Sequence, residues 1–519
     1  MKRKHSDTML SPQTPQQQQP QRSMAANINT PQTTSKSNKR RKLDHQPTQS
    51  EGWRWSSFGK YYDLNPNSFT NPYLLYCNKL DGKNYHLPTL EMSQVTAGRP
   101  EMAIIICGQG NNRKMQQYWQ QFLPHNMSSV VFVCKQITAE QPLATGIDNW
   151  MAHFDGNVMF VAAMPEADEY THQHAKCMLL KYPTHLRIFI TSANPRHREN
   201  HGGDTGNVYW IMDIPVKEVS SSSSSSNGSS NSSSNSSSNN SSNSNSNSNS
   251  SSNSNSNSNS SNNSSNNSNS RPSSEHPFAN QLFTFLKELL NPQTTRVHAV
   301  LALWKRIIKE QCDFSVIPED VNLVFSSPTT KGLTQLKRHV SRQMPYSFRT
   351  TDVLEAMSSS VSSYQKLDQL LQDATKCRTI RLIYPKKVTK KSGFMFSLCE
   401  ASWKMVKPTH GQPSMLYDYR PSHLQKQAGR EKVHHHSKIM LRENVHGRGW
   451  IYAGSANISE YAWCGHNFEL GVLMTNVQML NYNGVIPWER SYSVTRGMGA
   501  DAMQGARYTV GDERFVPGK

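Results

Sequence analysis

The segment His174-Ala-Lys176-Cys-Met-Leu, followed downstream by Thr191-Ser-Ala-Asn194, recurs as His436-Ser-Lys438-Ile-Met-Leu followed by Gly454-Ser-Ala-Asn457. In an extended chain alternate side chains share a face, so a His and a Lys two residues apart point the same way. Each copy therefore offers one imidazole and one ammonium group together. The apolar runs Leu186-Arg-Ile-Phe-Ile190 and Trp450-Ile-Tyr-Ala453 read as the next strands. Each delivers an Asn at its end, where a turn aims the amide at the same spot. Two such half-sites face to face make one pocket with paired His, Lys and Asn, a set suited to a phosphate group.

Working outward, the duplication divides the chain. Residues 1–67 form a basic tail expected to be disordered, 68–217 a first half, 218–272 a Ser/Asn-rich insertion expected to be disordered, and 273–519 a second half. The tail and the insertion lack the apolar residues needed to offset their ordering entropy. In the first half, strand-like runs at Pro72–Tyr76, Met102–Ile106, Val130–Val133 and Val158–Val161 accompany a helix-like stretch from Arg113 to Phe122. In the second, helix-like segments Phe278–Leu290, stopped by Asn291-Pro292, and Val297–Glu310 precede strands at Val321–Phe325, Ile380–Tyr384 and Phe468–Leu473. The alternation predicts an α/β fold, two similar halves related by a pseudo-two-fold with the site at their interface.

A net charge of +19 and a pI near 9.5 over 519 residues point to a polyanionic partner, nucleic acid first. Part of that charge lies in Lys2-Arg-Lys4 and Lys39-Arg-Arg-Lys42, which read as a nuclear-import signal or a nonspecific tether, so a nuclear location is expected. No apolar run approaches a membrane span and no signal-peptide core opens the chain, so no membrane partner is expected. The eight cysteines are scattered singly without a C-x-x-C pair, which reads as buried thiols. Cys177 follows Lys176, but alternation turns it away from the site. His172 and the His434-His435 pair lie beside the motif, yet no Asp or Cys accompanies them at ligand spacing, so no metal and no cofactor are expected.

A lone H-x-K is weak, but two copies with matching S-A-N tails resemble the phospholipase D superfamily with its H-x-K and G-S-x-N signatures. Within it the chain most resembles the tyrosyl-DNA phosphodiesterases. Thr171-His-Gln-His-Ala-Lys176, Ser455-Ala-Asn-Ile-Ser-Glu-Tyr-Ala-Trp463 and Phe468-Glu-Leu-Gly-Val472 carry the likeness, the last close to the family's Y-E-L-G-V. Lipid-cleaving members place an Asp five positions after the Lys. Here Lys181 and Glu443 stand there, and Lys181 breaks the lipase pattern.

The resemblance implies roles. His174 is the nucleophile that forms a phosphohistidine, and His436 is the general acid and then base. Lys176, Lys438, Asn194 and Asn457 hold the nonbridging oxygens, and Glu469 orients His174. The family's partner for His436 is a Gln. Aligning Trp210 with the family's Trp puts Asn207 in that place, with Thr205 the fallback. For DNA binding, Ser359 and Ser360 lie in the run Ser358–Ser363, similar to the family's Ser-rich segment, although a helix cap explains its composition equally well. Ser459 is placed beside a phosphate, and the Lys386–Lys391 loop could follow a backbone or be simply solvated.

The activity implied is metal-independent removal of tyrosine, and of other blocking groups, from 3′ ends of single- and double-stranded DNA. The peptide of a trapped topoisomerase is the partner, and the enzyme acts as a monomer in DNA repair. A phospholipase D acting on lipid and a non-catalytic DNA-binding protein are the alternatives.

Overall fold

In the computed structural model the repeated motifs stand at matching places in two sheets with the same strand order. The structure describes residues 68–80, 87–107, 113–134, 157–162, 172–194, 205–218, 275–291, 294–344, 352–359, 361–362, 364–384, 415–418, 421–431 and 433–490. The N-terminal tail, the Ser/Asn tract apart from Glu218 at its start, Ser360 and the Lys386–Lys391 loop lie outside them. All described residues belong to one compact unit spanning Trp55–Lys519.

The first half contributes β1 (Leu75–Asn78), β2 (Thr89–Leu90), β3 (Met102–Ile106), β4 (Ser129–Cys134), β5 (Val158–Ala162), β6 (Cys177–Lys181), β7 (His185–Thr191), β8 (Thr205–Gly206) and β9 (Val208–Pro215). The second contributes β10 (Val321–Ser326), β11 (Val353–Met357), β12 (Val361–Ser362), β13 (Thr379–Tyr384), β14 (Met415–Asp418), β15 (His434–His435), β16 (Ile439–Glu443), β17 (Arg448–Gly454), β18 (Ile458–Ser459) and β19 (Glu469–Gln478). One sheet runs β2-β1-β9-β7-β6-β3-β4-β5 and the other β10-β19-β17-β16-β11-β13-β14. Apart from β2, the order is the same strand for strand. The directions agree too. The four strands from β1 to β6 and their counterparts from β10 to β16 are antiparallel neighbours, and β3-β4-β5 and β11-β13-β14 are parallel.

Side-chain alternation explains why these strands read as unbroken apolar runs. In β7, Leu186, Ile188 and Ile190 enter one buried cluster while Phe189 enters another. In β19, Leu470, Val472 and Met474 enter that first cluster while Leu473 faces a third. The shared cluster draws residues from both sheets, so one apolar layer lies between them. A strand buried on both faces needs apolar residues at successive positions rather than at every second one.

Helix Pro277–Leu290 buries Phe278, Leu282, Phe285, Leu286 and Leu289 in that layer, the spacing of one helical stripe. Each such side chain contributes about 1.5–3 kcal/mol by burial. Asn291, left-handed at φ 32°, closes the helix immediately before Pro292, as the sequence predicts. The following helix is shorter than its periodicity suggests. It spans Thr295–Lys305 and then widens into a π-helical turn, Arg306–Gln311, closed by Cys312 N–H donating to the carbonyl of Ile307 at 3.0 Å.

Candidate active site

The two H-x-K segments do not lie within regular strands, as alternation alone suggests. Each is a crossover. Phe468 donates to the carbonyl of His172 and accepts from the N–H of His174, both at 3.0 Å. This parallel bridge pins the first-half motif to the second half. The reciprocal contact is β8 on β15, with Gly206 opposite His435 and accepting from the N–H of His436 at 2.8 Å. A Cβ on Gly206 would stand 2.6 Å from the His435 ring, so only glycine permits this approach. Past the motif each chain joins its own sheet: Lys176 O accepts from Thr191 N–H at 3.1 Å and Lys438 O from Gly454 N–H at 3.2 Å. The catalytic-looking residues thus sit where each half lets go of the other.

The Nδ1 of His174 lies 2.9 Å from both carboxylate oxygens of Glu469, which is itself buried. A carboxylate only accepts here, so Nδ1 carries the hydrogen and the lone pair is on Nε2. Ser455, the serine of the second S-A-N, donates from its hydroxyl to Glu469 at 2.6 Å, and that hydroxyl accepts from Leu470 N–H at 3.0 Å. Burial holds the imidazole below its ordinary range; Glu469 opposes this and the ammonium groups of Lys176 and Lys438 reinforce it. His174 is therefore neutral, the form a nucleophile needs.

The second imidazole has a different partner. The Nδ1 of His436 donates to the main-chain carbonyl of Ser192 at 2.9 Å. Asn207 stands in the position corresponding to Glu469, and there its Oδ1 accepts from the Ser192 hydroxyl at 3.0 Å. That hydroxyl in turn accepts from Val208 N–H at 3.0 Å, matching the Ser455 arrangement. Asn207 therefore reaches His436 through Ser192. Beneath it, Asn78 Oδ1 accepts from Asn207 N–H at 2.8 Å, and the buried Arg430 donates to the Asn78 carbonyl at 2.9 Å. Thr205 accepts from the Asn78 amide at 2.8 Å through its carbonyl. Burial, then Lys438, Lys176 and His174, hold His436 well below its ordinary range. The Lys438 ammonium lies 3.1 Å from both ring nitrogens of His436.

Lys176 and Lys438 are both only 1% exposed and each donates to the carbonyl of its own histidine, at 2.5 and 2.7 Å. Ammonium groups so far from water favour a bound anion. Asn457 is half-buried at the end of β17, its Oδ1 accepting from the Ser358 hydroxyl at 3.1 Å and the Ser359 hydroxyl at 3.2 Å. Asn194 holds the matching place after β7. The Ser459 hydroxyl accepts from Ala462 N–H at 3.2 Å and caps the short helix Glu460–Trp463. Glu443 pairs with Arg490 at 2.6 Å, while the Lys181 ammonium donates to the Tyr182 carbonyl. Cys177 belongs to the apolar layer between the sheets, and burial pushes its thiol up. Among the described residues no group of three His, Cys, Asp or Glu side chains is placed to hold a metal ion. No helix among them is long and apolar enough to cross a membrane.

The sequence reasoning missed Ser192 and Ser455, although both repeat in register within the S-A-N tripeptides. Asn78 and Arg430 carried no repeat and no spacing that could have announced them.

A tyrosyl-DNA phosphodiesterase family model matches residues 115–509. The chain belongs to that family. As a tyrosyl-DNA phosphodiesterase family member it is a phosphodiesterase, a hydrolase of phosphoric diester bonds. Among solved structures, a histidine-to-alanine variant of yeast tyrosyl-DNA phosphodiesterase matches with a TM-score of 0.50 at 13% identity, covering 78% of this chain and 89% of that one. The yeast tyrosyl-DNA phosphodiesterase itself matches at 0.49 with the same identity and coverage. Phosphatidylserine synthase from Haemophilus influenzae matches at 0.40 and 11% identity, covering 81% of this chain and 85% of that one. At 13% identity the match at 0.50 speaks to fold alone. A search of curated proteins returns no significant match.

Proposed function

We propose that the chain hydrolyses the 3′-phosphotyrosyl bond of DNA through a covalent phosphohistidine on His174. The observation that carries this reading is the unequal support of the two imidazoles: the Glu469 carboxylate on His174, the Ser192 carbonyl on His436. A carboxylate stabilises the positive charge that builds on a nucleophilic imidazole as its Nε2 bonds to phosphorus. A neutral carbonyl fixes the tautomer of His436 while leaving it free to take and return a proton.

In the first step the His174 Nε2 lone pair forms the N–P bond and the P–O bond to tyrosine breaks. His436, charged, gives its Nε2 proton to the departing phenolate. Tyrosine has a pKa of about 10, so its departure gains much from that proton. In the second step neutral His436 takes a proton from water, whose oxygen attacks phosphorus and displaces His174. A 3′-phosphate remains on the DNA and the tyrosine is free. Lys176, Lys438, Asn194 and Asn457 donate to the nonbridging oxygens, where charge grows in the five-coordinate transition state.

Substrate-free His436 is neutral, with the Lys438 ammonium close to both ring nitrogens. The phosphodiester anion draws the ammonium groups to its own oxygens and offsets their field, so His436 is charged once the substrate is in place. The reading extends to other 3′ blocking groups on single- and double-stranded ends and to the peptide left by a trapped topoisomerase, processed by a monomer during nuclear DNA repair. The test is cleavage of an oligonucleotide carrying a 3′-phosphotyrosine in EDTA, by wild type and by His174→Ala. Cleavage in EDTA by wild type alone supports the reading; loss of wild-type activity in EDTA, or choline release from phosphatidylcholine without DNA cleavage, removes it.

A further inference from the structure

We propose that Ser358 and Ser359 are positioning residues that lock the side-chain amide of Asn457 with its NH2 toward the phosphate. The proposal rests on the role given above to Asn457, and it gives these serines a task other than contact with DNA. An Asn amide has an acceptor end and a donor end of nearly the same shape, and only the donor end helps a phosphate. Something must choose between them.

The two hydroxyls choose. Both donate to Oδ1 of Asn457, at 3.1 and 3.2 Å. The Ser358 hydroxyl also accepts from Ile458 N–H at 3.1 Å, which occupies one of its lone pairs and leaves its hydrogen to donate to Asn457. Both serines are nearly fully buried, at 1% and 3% exposure. The backbone beneath is held as firmly: Trp463 donates from its indole to the Asn457 carbonyl at 2.9 Å, and β12 pairs in parallel with β18, Val361 opposite Ile458 and Ser362 opposite Ser459. Turning the amide over would bring its NH2 to both hydroxyls, which could then only accept, and each hydroxyl hydrogen would have to turn away from Asn457 in buried surroundings. β12 is thus stitched to the short strand that follows Asn457, and the Ser358 and Ser359 hydroxyls meet the amide.

A double-mutant cycle tests this. With the 3′-phosphotyrosyl oligonucleotide, Ser358→Ala/Ser359→Ala lowers kcat by about tenfold and leaves KM within about twofold. In the Asn457→Ala background the same changes cause no further loss, because the group they position is gone. A raised KM with losses that add to those of Asn457→Ala is the signature of hydroxyls touching DNA, and it overturns the proposal. Wild-type turnover by Asn457→Ala alone overturns both the clamp and the role of Asn457. If the double variant fails to fold, Ser359→Ala in both backgrounds gives the same cycle.

Discussion

Glu469 of the second half reaches His174 of the first, with both carboxylate oxygens 2.9 Å from Nδ1. The bond crosses between the halves, and so does its counterpart from His436 to Ser192. Neither half holds its own histidine in position, so a complete site requires both sheets.

Glu469→Gln should lower kcat on the order of 10²-fold, with a melting temperature near that of wild type. A Gln can present its NH2 to Nδ1, which moves the ring hydrogen to Nε2 and removes the attacking lone pair. Single-turnover cleavage of the phosphotyrosyl oligonucleotide measures the loss. Turnover within a few-fold of wild type would show that the tautomer is set elsewhere.

Leaving-group chemistry should separate the two histidines. His436→Ala should lose far more activity on a tyrosyl ester than on a 4-nitrophenyl ester, whose phenolate departs without a proton. His174→Ala should lose both equally. Single-turnover release of the phenol, which reads the first step before the shared hydrolysis, gives the comparison, and equal losses in His436→Ala would contradict the acid role.

The pH profile should lie on the acid side. The kcat/KM of the phosphotyrosyl substrate is referred to the free enzyme, in which the pKa for the proton that His436 must acquire is depressed by burial and by Lys438 and Lys176. The charged fraction falls as pH rises through that depressed pKa. The descending limb therefore lies below the ordinary value of about 6.5. Lys438→Gln removes one opposing charge and should move that limb to higher pH while lowering the maximum. A limb that stays in place in this variant would contradict the coupling.

Stability should depend on pH through His339, buried in the helix Gly332–Gln343. Burial, with Arg338 and Arg342 adding to it, lowers its pKa to about 4. The unfolded chain takes up this proton near pH 6.5 and the folded chain only near 4, so stabilisation is complete above about 6.5 and is lost as pH falls toward 4. The expected loss is on the order of 3 kcal/mol. His339→Gln should flatten this part of the curve in urea unfolding at a series of pH values, and an unchanged slope would contradict it.

Much of the fold was legible because its signals are local or repeated. The duplicated H-x-K and S-A-N segments announced two similar sheets, and the apolar runs at β3, β4, β7 and β13 fell where the structure has strands. Asn291-Pro292 marked a helix end because its chemistry is confined to a few residues. The π-helical turn at Arg306 was not legible, since it keeps the apolar spacing of an ordinary helix while changing its hydrogen bonds. The glycine of Glu469-Leu-Gly471 was legible only as a letter of the motif. Its cause is tertiary: it faces Gly454 across β17 and β19, and a Cβ on it would meet the Tyr452 ring at 2.3 Å.

The site divided in the same way. His174, Lys176, His436, Lys438 and the two Asn residues were readable from residue type and repetition. Glu469 was placed by the family's motif. Asn207 was found at its position, but its action through Ser192 was not, because a main-chain carbonyl leaves no mark in a sequence. The serine run was visible as composition, whereas its bonds to Asn457 depend on how β12 and β18 align.

The covalent intermediate is the most direct test of the central claim. His436→Ala, mixed with a 3′-phosphotyrosyl oligonucleotide and digested at alkaline pH, where phosphohistidine survives, should yield a His174-containing peptide heavier by the 3′-phospho-oligonucleotide. The same mass on another residue, or free product at the wild-type rate with no adduct, would contradict the account.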